Sequence, residues 1–228
     1  MATVYAHTND GYVRASSTTS FAHCRDNAAA PNYAPSLGSS SSVGVATYKA
    51  TARGAATWYI FRSFFYFDTS GITGTVDSAT LRIYGRSYTT GDVIAVKSNS
   101  DITNLSTGDF DAIEGWNSSG VDNESNVTKY SSEISTWSSG YNDITLTSDA
   151  LTDMENDNTL YVCLMNYDYD LKNVDPNTAT DTKNGLYYIN YTGTSRDPYI
   201  DYTLATVTPT DNAIFLVLIF KEDYEFNR

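Results

Sequence analysis

The chain has 228 residues, of which 18% are charged, and a formal net charge of -13. Phosphate binding needs a basic footprint, so this balance argues against nucleic acid as a partner. The two cysteines, Cys24 and Cys163, are far apart and belong to no Cys-x-x-Cys or Cys/His cluster, so zinc and dithiol chemistry have no support.

In chain order, residues 4–6 and 12–15 read as two short strands around Asn9, Asp10 and Gly11, a hairpin-like start. Residues 16–42, rich in Ser, Ala, Asn, Pro and Gly, read as a long surface loop, and 43–50 as the next strand. The organising stretch is 56–85. Its first half places Phe61, Phe65 and Phe67 on one face and Trp58, Ile60 and Phe64 on the other, so a central strand covered on both sides is expected. Its second half sets Ala79, Leu81 and Ile83 against Thr80, Arg82, Tyr84 and Arg86, the alternation of an antiparallel strand with one wet face. Residues 92–98 follow as a strand, with Ile94 and Val96 on one face.

Residues 99–139 form a long polar excursion anchored at Phe110, Ile113, Trp116, Ile134 and Trp137, which suggests a loop that folds back onto the body. Beyond it come a strand at 143–147, a short helix at 149–156 capped by Ser148, a second doubly apolar strand at 160–167, and strands at 185–191 and 198–204. Cys163 sits in that apolar run and reads as a buried thiol, with a disulfide to Cys24 as the alternative. Many short strands and no sustained helical periodicity predict an all-β chain: a single antiparallel jelly-roll β-sandwich over 1–205 with two long loops. Residues 206–228 are then a linker and an extra C-terminal strand.

That last segment, Ile214, Phe215, Leu216, Val217, Leu218, Ile219 and Phe220 after Ala213, is too short to span a bilayer. As an apolar strand it must be covered. A linker of seven or eight residues reaches about 25 Å at roughly 3.3 Å per residue. Two outcomes stay open: return to its own sheet, or donation to a neighbouring copy in a head-to-tail homo-oligomer.

The run Arg62, Ser63, Phe64, Phe65, Tyr66, Phe67, Asp68, Thr69, Ser70 and Ile72, followed by 76–84, resembles the hallmark of DNRLRE-type (disaggregatase-related) β-sandwich modules. Residues 144–151, 161–164, Asp168, Asp170 and 198–202 are similar to their closing strands, so the resemblance spans about 57–204. It implies a jelly-roll sandwich, usually noncatalytic, in carbohydrate-binding, cell-surface and virion contexts, and carries no catalytic residue across.

Candidate chemistry is sparse. His7 and His23 have no nucleophile and acid at a diagnostic spacing, so no catalytic residue is nominated and no enzyme is expected. Asn166, Asp168, Asp170 and Asp175 supply dense hard oxygens and form a candidate Ca²⁺ loop, beside the alternative of a solvated acidic loop; no other cofactor is expected. Tyr84, Tyr88, Trp116, Trp137, Tyr187 and Tyr188 are candidate platforms for sugar rings, beside roles at the edge of the core. Sequons at Asn104, Asn117, Asn123, Asn126 and Asn190 are candidate glycosylation sites, although a chain rich in Asn, Ser and Thr also makes them by chance. The first residues lack the basic and apolar regions of a signal peptide. Two functions are expected from these features. The first is a structural subunit of an extracellular filament or virion appendage; the alternative is a carbohydrate-binding or adhesive module.

Overall fold

The computed structural model describes residues 1–27, 38–87, 92–99, 104–176 and 182–206. Ten strands form one open antiparallel sheet: β1 (Ala2–Tyr5), β2 (Gly11–Ser17), β3 (Ser40–Ala52), β4 (Ala55–Asp68), β5 (Val76–Ser87), β6 (Val93–Lys97), β7 (Gly140–Thr145), β8 (Thr159–Asn166), β9 (Thr182–Tyr187) and β10 (Tyr199–Leu204). Two helices, α1 (Phe21–Arg25) and α2 (Ser148–Asn156), are short. The order along the sheet is β1-β10-β5-β9-β3-β4-β8-β6, with β2 added to β4 and β7 to β5. The fold is an all-β sandwich.

The sheet folds over on itself because β4 and β5 are each longer than any one neighbour. β4 pairs β2 through 58–64 on one edge; its other edge takes β3 at 55–61 and then β8 at 63–68. β5 likewise takes β10 at its start, β9 at its end and β7 on the opposite edge. The two halves of the organising stretch are therefore not partners of each other; they stand in facing layers.

Between those layers lies one core: Leu81, Ile83, Ile144, Leu186 and Ile200 from one side meet Phe65, Phe67, Ala95, Val162 and Leu164 from the other. The predicted double-sided burial of β4 and β8 holds. Their second faces carry Ile60, Phe64, Cys163 and Met165 into another core, covered by Phe21 and Cys24 of α1, by Leu171, and by Leu105, Phe110, Ile113 and Val127 of the excursion. Fully burying one such side chain contributes about 1.5–3 kcal/mol, which explains why the described part of this polar excursion, residues 104–139, packs against the sheet. Both cysteines are buried free thiols. Burial raises their pKa, to about 12 for Cys24, so they behave as apolar groups.

Several expectations need correction. β1 and β2 do not form a hairpin: β1 pairs β10 and β2 pairs β4, so the chain crosses between layers at the Asn9–Gly11 turn. The 16–42 loop is interrupted by α1, whose N-cap Ser20 accepts from His23 N, and β3 begins at Ser40. The 99–139 excursion contains a 3₁₀ turn, Thr107–Asp111, closed by a Ser106/Asp109 capping box. The cap of α2 is Thr147 rather than Ser148. At Gly85 a Cβ would stand 2.0 Å from the Ser138 carbonyl oxygen, so only glycine lets residues 137–138 cross β5 there.

Candidate functional site

The calcium reading needs the largest correction. It assumed an extended chain, in which Asn166, Asp168 and Asp170 share a side. The chain instead coils into a π-helical turn, Tyr167–Leu171, started by Asn166, whose side chain accepts from Tyr169 N. Each oxygen donor then finds a different partner. Asp170, fully buried, accepts from Arg62 Nε and Nη2, both at 2.8 Å. Asp168 pairs with Lys172 Nζ at 3.1 Å, and Asp175 accepts from Trp58 Nε1 at 2.8 Å. Carboxyl oxygens of Asp92, Glu133 and Asp168 do lie within 4.8 Å of one another, with Lys172 supplying positive charge beside them.

Asp170 belongs instead to a structural charge cluster under the excursion. Arg62 also donates to the Phe110 carbonyl and to Asp111, and its guanidinium lies 4.0 Å from the Phe110 ring and 4.2 Å from that of Trp116. Arg25 of α1 covers Trp116 at 4.5 Å, pairs with Asp26 and donates to the Asp170 and Val121 carbonyls. The neighbouring carboxylates hold the Arg62 pKa above its ordinary value despite full burial. Trp116 is thus a packing anchor. Trp137, buried, donates to the Gly185 carbonyl, and Tyr188 shares a hydrogen bond with Ser63. Trp137 and Tyr188 are buried and present no exposed face, Trp116 is half-buried against the two arginines, and Tyr88 lies outside the described residues.

Tyr84 and Tyr187 do face outward, and the structure adds four more tyrosines to them. On β5 the period of two that buries Leu81 and Ile83 turns Arg82, Tyr84 and Arg86 to the outer face. Tyr141, directly opposite Tyr84 in the register, meets it edge to face at 5.0 Å. Tyr199 of β10 lies 5.2 Å from Tyr141, and Tyr5 of β1 lies 5.7 Å from Tyr199. In the other direction Tyr187 stands 5.5 Å from Tyr84 and Tyr191 stands 4.7 Å from Tyr187. Six rings therefore run across five strands and one loop. Edge-to-face contacts at these distances fix ring orientation.

Polar groups border the run. Arg82 reaches Asp143 at 3.4 Å and Asp201 at 3.5 Å, and Arg196 lies over the rings of Tyr187, Tyr191 and Tyr84. Tyr141 donates to the Asp197 carbonyl, and burial pushes its pKa up to about 12, so it stays a donor at neutral pH. The outward parity of Tyr141 and Tyr199 was legible from the inward Ile144 and Ile200. Their convergence with Tyr5 and Tyr191 was not, because it needs the strand order.

Among the sequons, Asn104, Asn117, Asn126 and Asn190 are exposed, whereas Asn123 is fully buried. Asn123 exchanges hydrogen bonds with the Asn117 backbone, so a glycan there would require local unfolding. Ser17 Oγ lies 3.1 Å from His23 Nδ1, but no described carboxylate bonds the ring's other nitrogen, so the pair lacks the acid of a triad. The apolar segment Ile214–Phe220 lies outside the described residues. No family model matches the sequence, and neither does any curated protein.

Proposed function

We propose that this chain is a noncatalytic, glycan-binding β-sandwich of adhesive type. The observation that carries the reading is the tyrosine run on the outer sheet face. A sugar ring presents apolar C–H faces and a rim of hydroxyls; oriented tyrosines match the first, and the phenols with Arg82, Asp143 and Asp201 match the second. Because strands hold five of the six rings, the surface is preorganised and binding orders few side chains.

Replacing Tyr84 and Tyr187 together by Ala tests this on a glycan array followed by titration calorimetry. Each aromatic contact contributes about 1 kcal/mol, so the double variant should bind roughly thirtyfold more weakly. Both side chains are half-buried and touch Tyr141, Tyr191 and Arg196, so the variant should melt a few degrees lower, and melting curves check that it is folded at the temperature of the titration. Equal binding by parent and variant would sink the assignment.

A second reading, self-assembly through residues 213–220, has one observation in its favour. The outer edge of β7 has no strand partner among the described residues, and a groove of about 520 Å³ separates it from residues 131–136. β10 ends at the same end of the sheet: Ala205 N bonds the Thr75 carbonyl, while Leu146 N, just past β7, bonds that of Ala79. The apolar segment 213–220 follows β10 in the sequence after a short linker, so strand addition to that open edge would need only the linker's length, in its own subunit or in another.

A further inference from the structure

One end of the tyrosine face has a charge that its surroundings do not answer. Arg82 is balanced by Asp143 and Asp201, but Arg86 and Arg196 form no ion pair with any described carboxylate. Arg86 is exposed on β5, two residues beyond Tyr84 on the same face, and its Nη1 lies 3.1 Å from Ser40 Oγ, on the residue that opposes Tyr187 in the register. Arg196 sits over three rings, 4.6 Å from that of Tyr187, 4.9 Å from Tyr191 and 5.3 Å from Tyr84. Its Nη1 donates to the Tyr191 hydroxyl. Asp197, next in the chain, is 4% exposed and makes no ion pair with it.

The chain carries 27 acidic residues against 14 Lys and Arg, so two arginines on one aromatic surface without a carboxylate partner among the described residues run against its overall balance. A guanidinium stacked on rings keeps its planar edge of donors for a carboxylate, which it takes in a bidentate way. We infer that the Arg86–Arg196 end of this face selects carboxylate-bearing glycans, the uronic-acid polymers: a pyranose ring lies against Tyr84 and Tyr187 while its carboxylate meets the two arginines. This rests on the glycan-binding reading and adds the charge of the ligand to it.

The test titrates the full chain with oligogalacturonate, oligoalginate and hyaluronan fragments, each beside its methyl-esterified form, which keeps the backbone and removes the charge. An acidic peptide, oligoglutamate, serves as the nonsugar anion. At least one uronate should bind roughly tenfold tighter than its ester, since a hydrogen bond to a charged group is worth about that factor. The preference should shrink as salt rises to about 1 M, where screening acts within roughly 3 Å. Arg86→Gln, at an exposed position, should lower uronate affinity and leave ester binding unchanged, whereas Arg196→Gln, at a residue that packs on the tyrosine rings, should lower uronate affinity by a larger factor than ester affinity. Arg196→Lys should restore part of the loss, and melting curves check that the variants fold.

Equal binding of acid and ester forms overturns the charge selection and leaves the glycan reading standing. Binding to no saccharide in the panel overturns the charge selection, and binding to none on the glycan array either overturns both. Oligoglutamate binding as tightly as any uronate also overturns the inference, in favour of an acidic protein partner.

Discussion

Arg62 shows why a charged residue in the middle of an aromatic run is not a surface residue. Its neighbours Phe61, Ser63, Phe64 and Phe65 are all buried, so the guanidinium leaves β4 on the face covered by the excursion, and its donors meet Asp170, Asp111 and the Phe110 carbonyl. Removing one partner of such a cluster leaves buried charge uncompensated, which costs about 3–5 kcal/mol. Arg62→Met should therefore lower the denaturant midpoint of unfolding by that amount of stability, and adding Asp170→Leu should return a large part of it. A single variant within about 1 kcal/mol of the parent would show that the cluster contributes little. The sequence marked Arg62 through its place in the family-like motif and marked Asp170 as a calcium ligand. It could not join them, because they are 108 residues apart and meet through a π-turn that breaks strand parity.

Strands were the most legible elements. Alternation on β5 and the doubly apolar runs of β4 and β8 read correctly, since burial on one or both faces leaves a direct mark on side-chain polarity. Pairing was less legible: nothing in residues 2–17 reveals that β1 and β2 serve different layers. The open edge of β7 is the element on which the assembly reading depends. A chain ending at residue 206 should run as a monomer in size-exclusion chromatography with light scattering, while the full chain shows larger species that rise with concentration. If both elute identically as monomers, residues 213–220 do not link subunits.

At the scale of the whole molecule, buried acids set the response to pH. Burial is the leading cause that raises the pKa of Asp10, Asp26, Asp111 and Asp197 above the ordinary 3.8. Asp10 accepts from Ile189 N with both oxygens and ties the 188–191 segment to the first turn. A carboxyl whose pKa is raised on folding binds its proton more tightly in the native state. Its contribution is complete below 3.8 and is lost as pH rises through the native value. The melting temperature should therefore fall as pH climbs from about 4 toward neutrality, in the same direction as self-repulsion from a net charge of -13. Asp10→Asn keeps an acceptor for Ile189 N and should flatten that fall. A melting temperature that rises over the same range would contradict the assignment.

The sequence alone determined the all-β class, the two strands buried on both faces and the outward side of β5, because each is a local pattern of polar and apolar side chains. It also supplied anchors for the long excursion, with Phe110, Ile113 and Trp137 buried as expected. The tertiary structure alone decided which strands are neighbours, that Asp170 answers Arg62, and that tyrosines from β1, β5, β7, β9, β10 and the β9–β10 loop meet on one surface. The physical reason is shared: a side chain's direction follows from its own strand's period of two, whereas its neighbours follow from sheet order, which joins residues far apart in the chain.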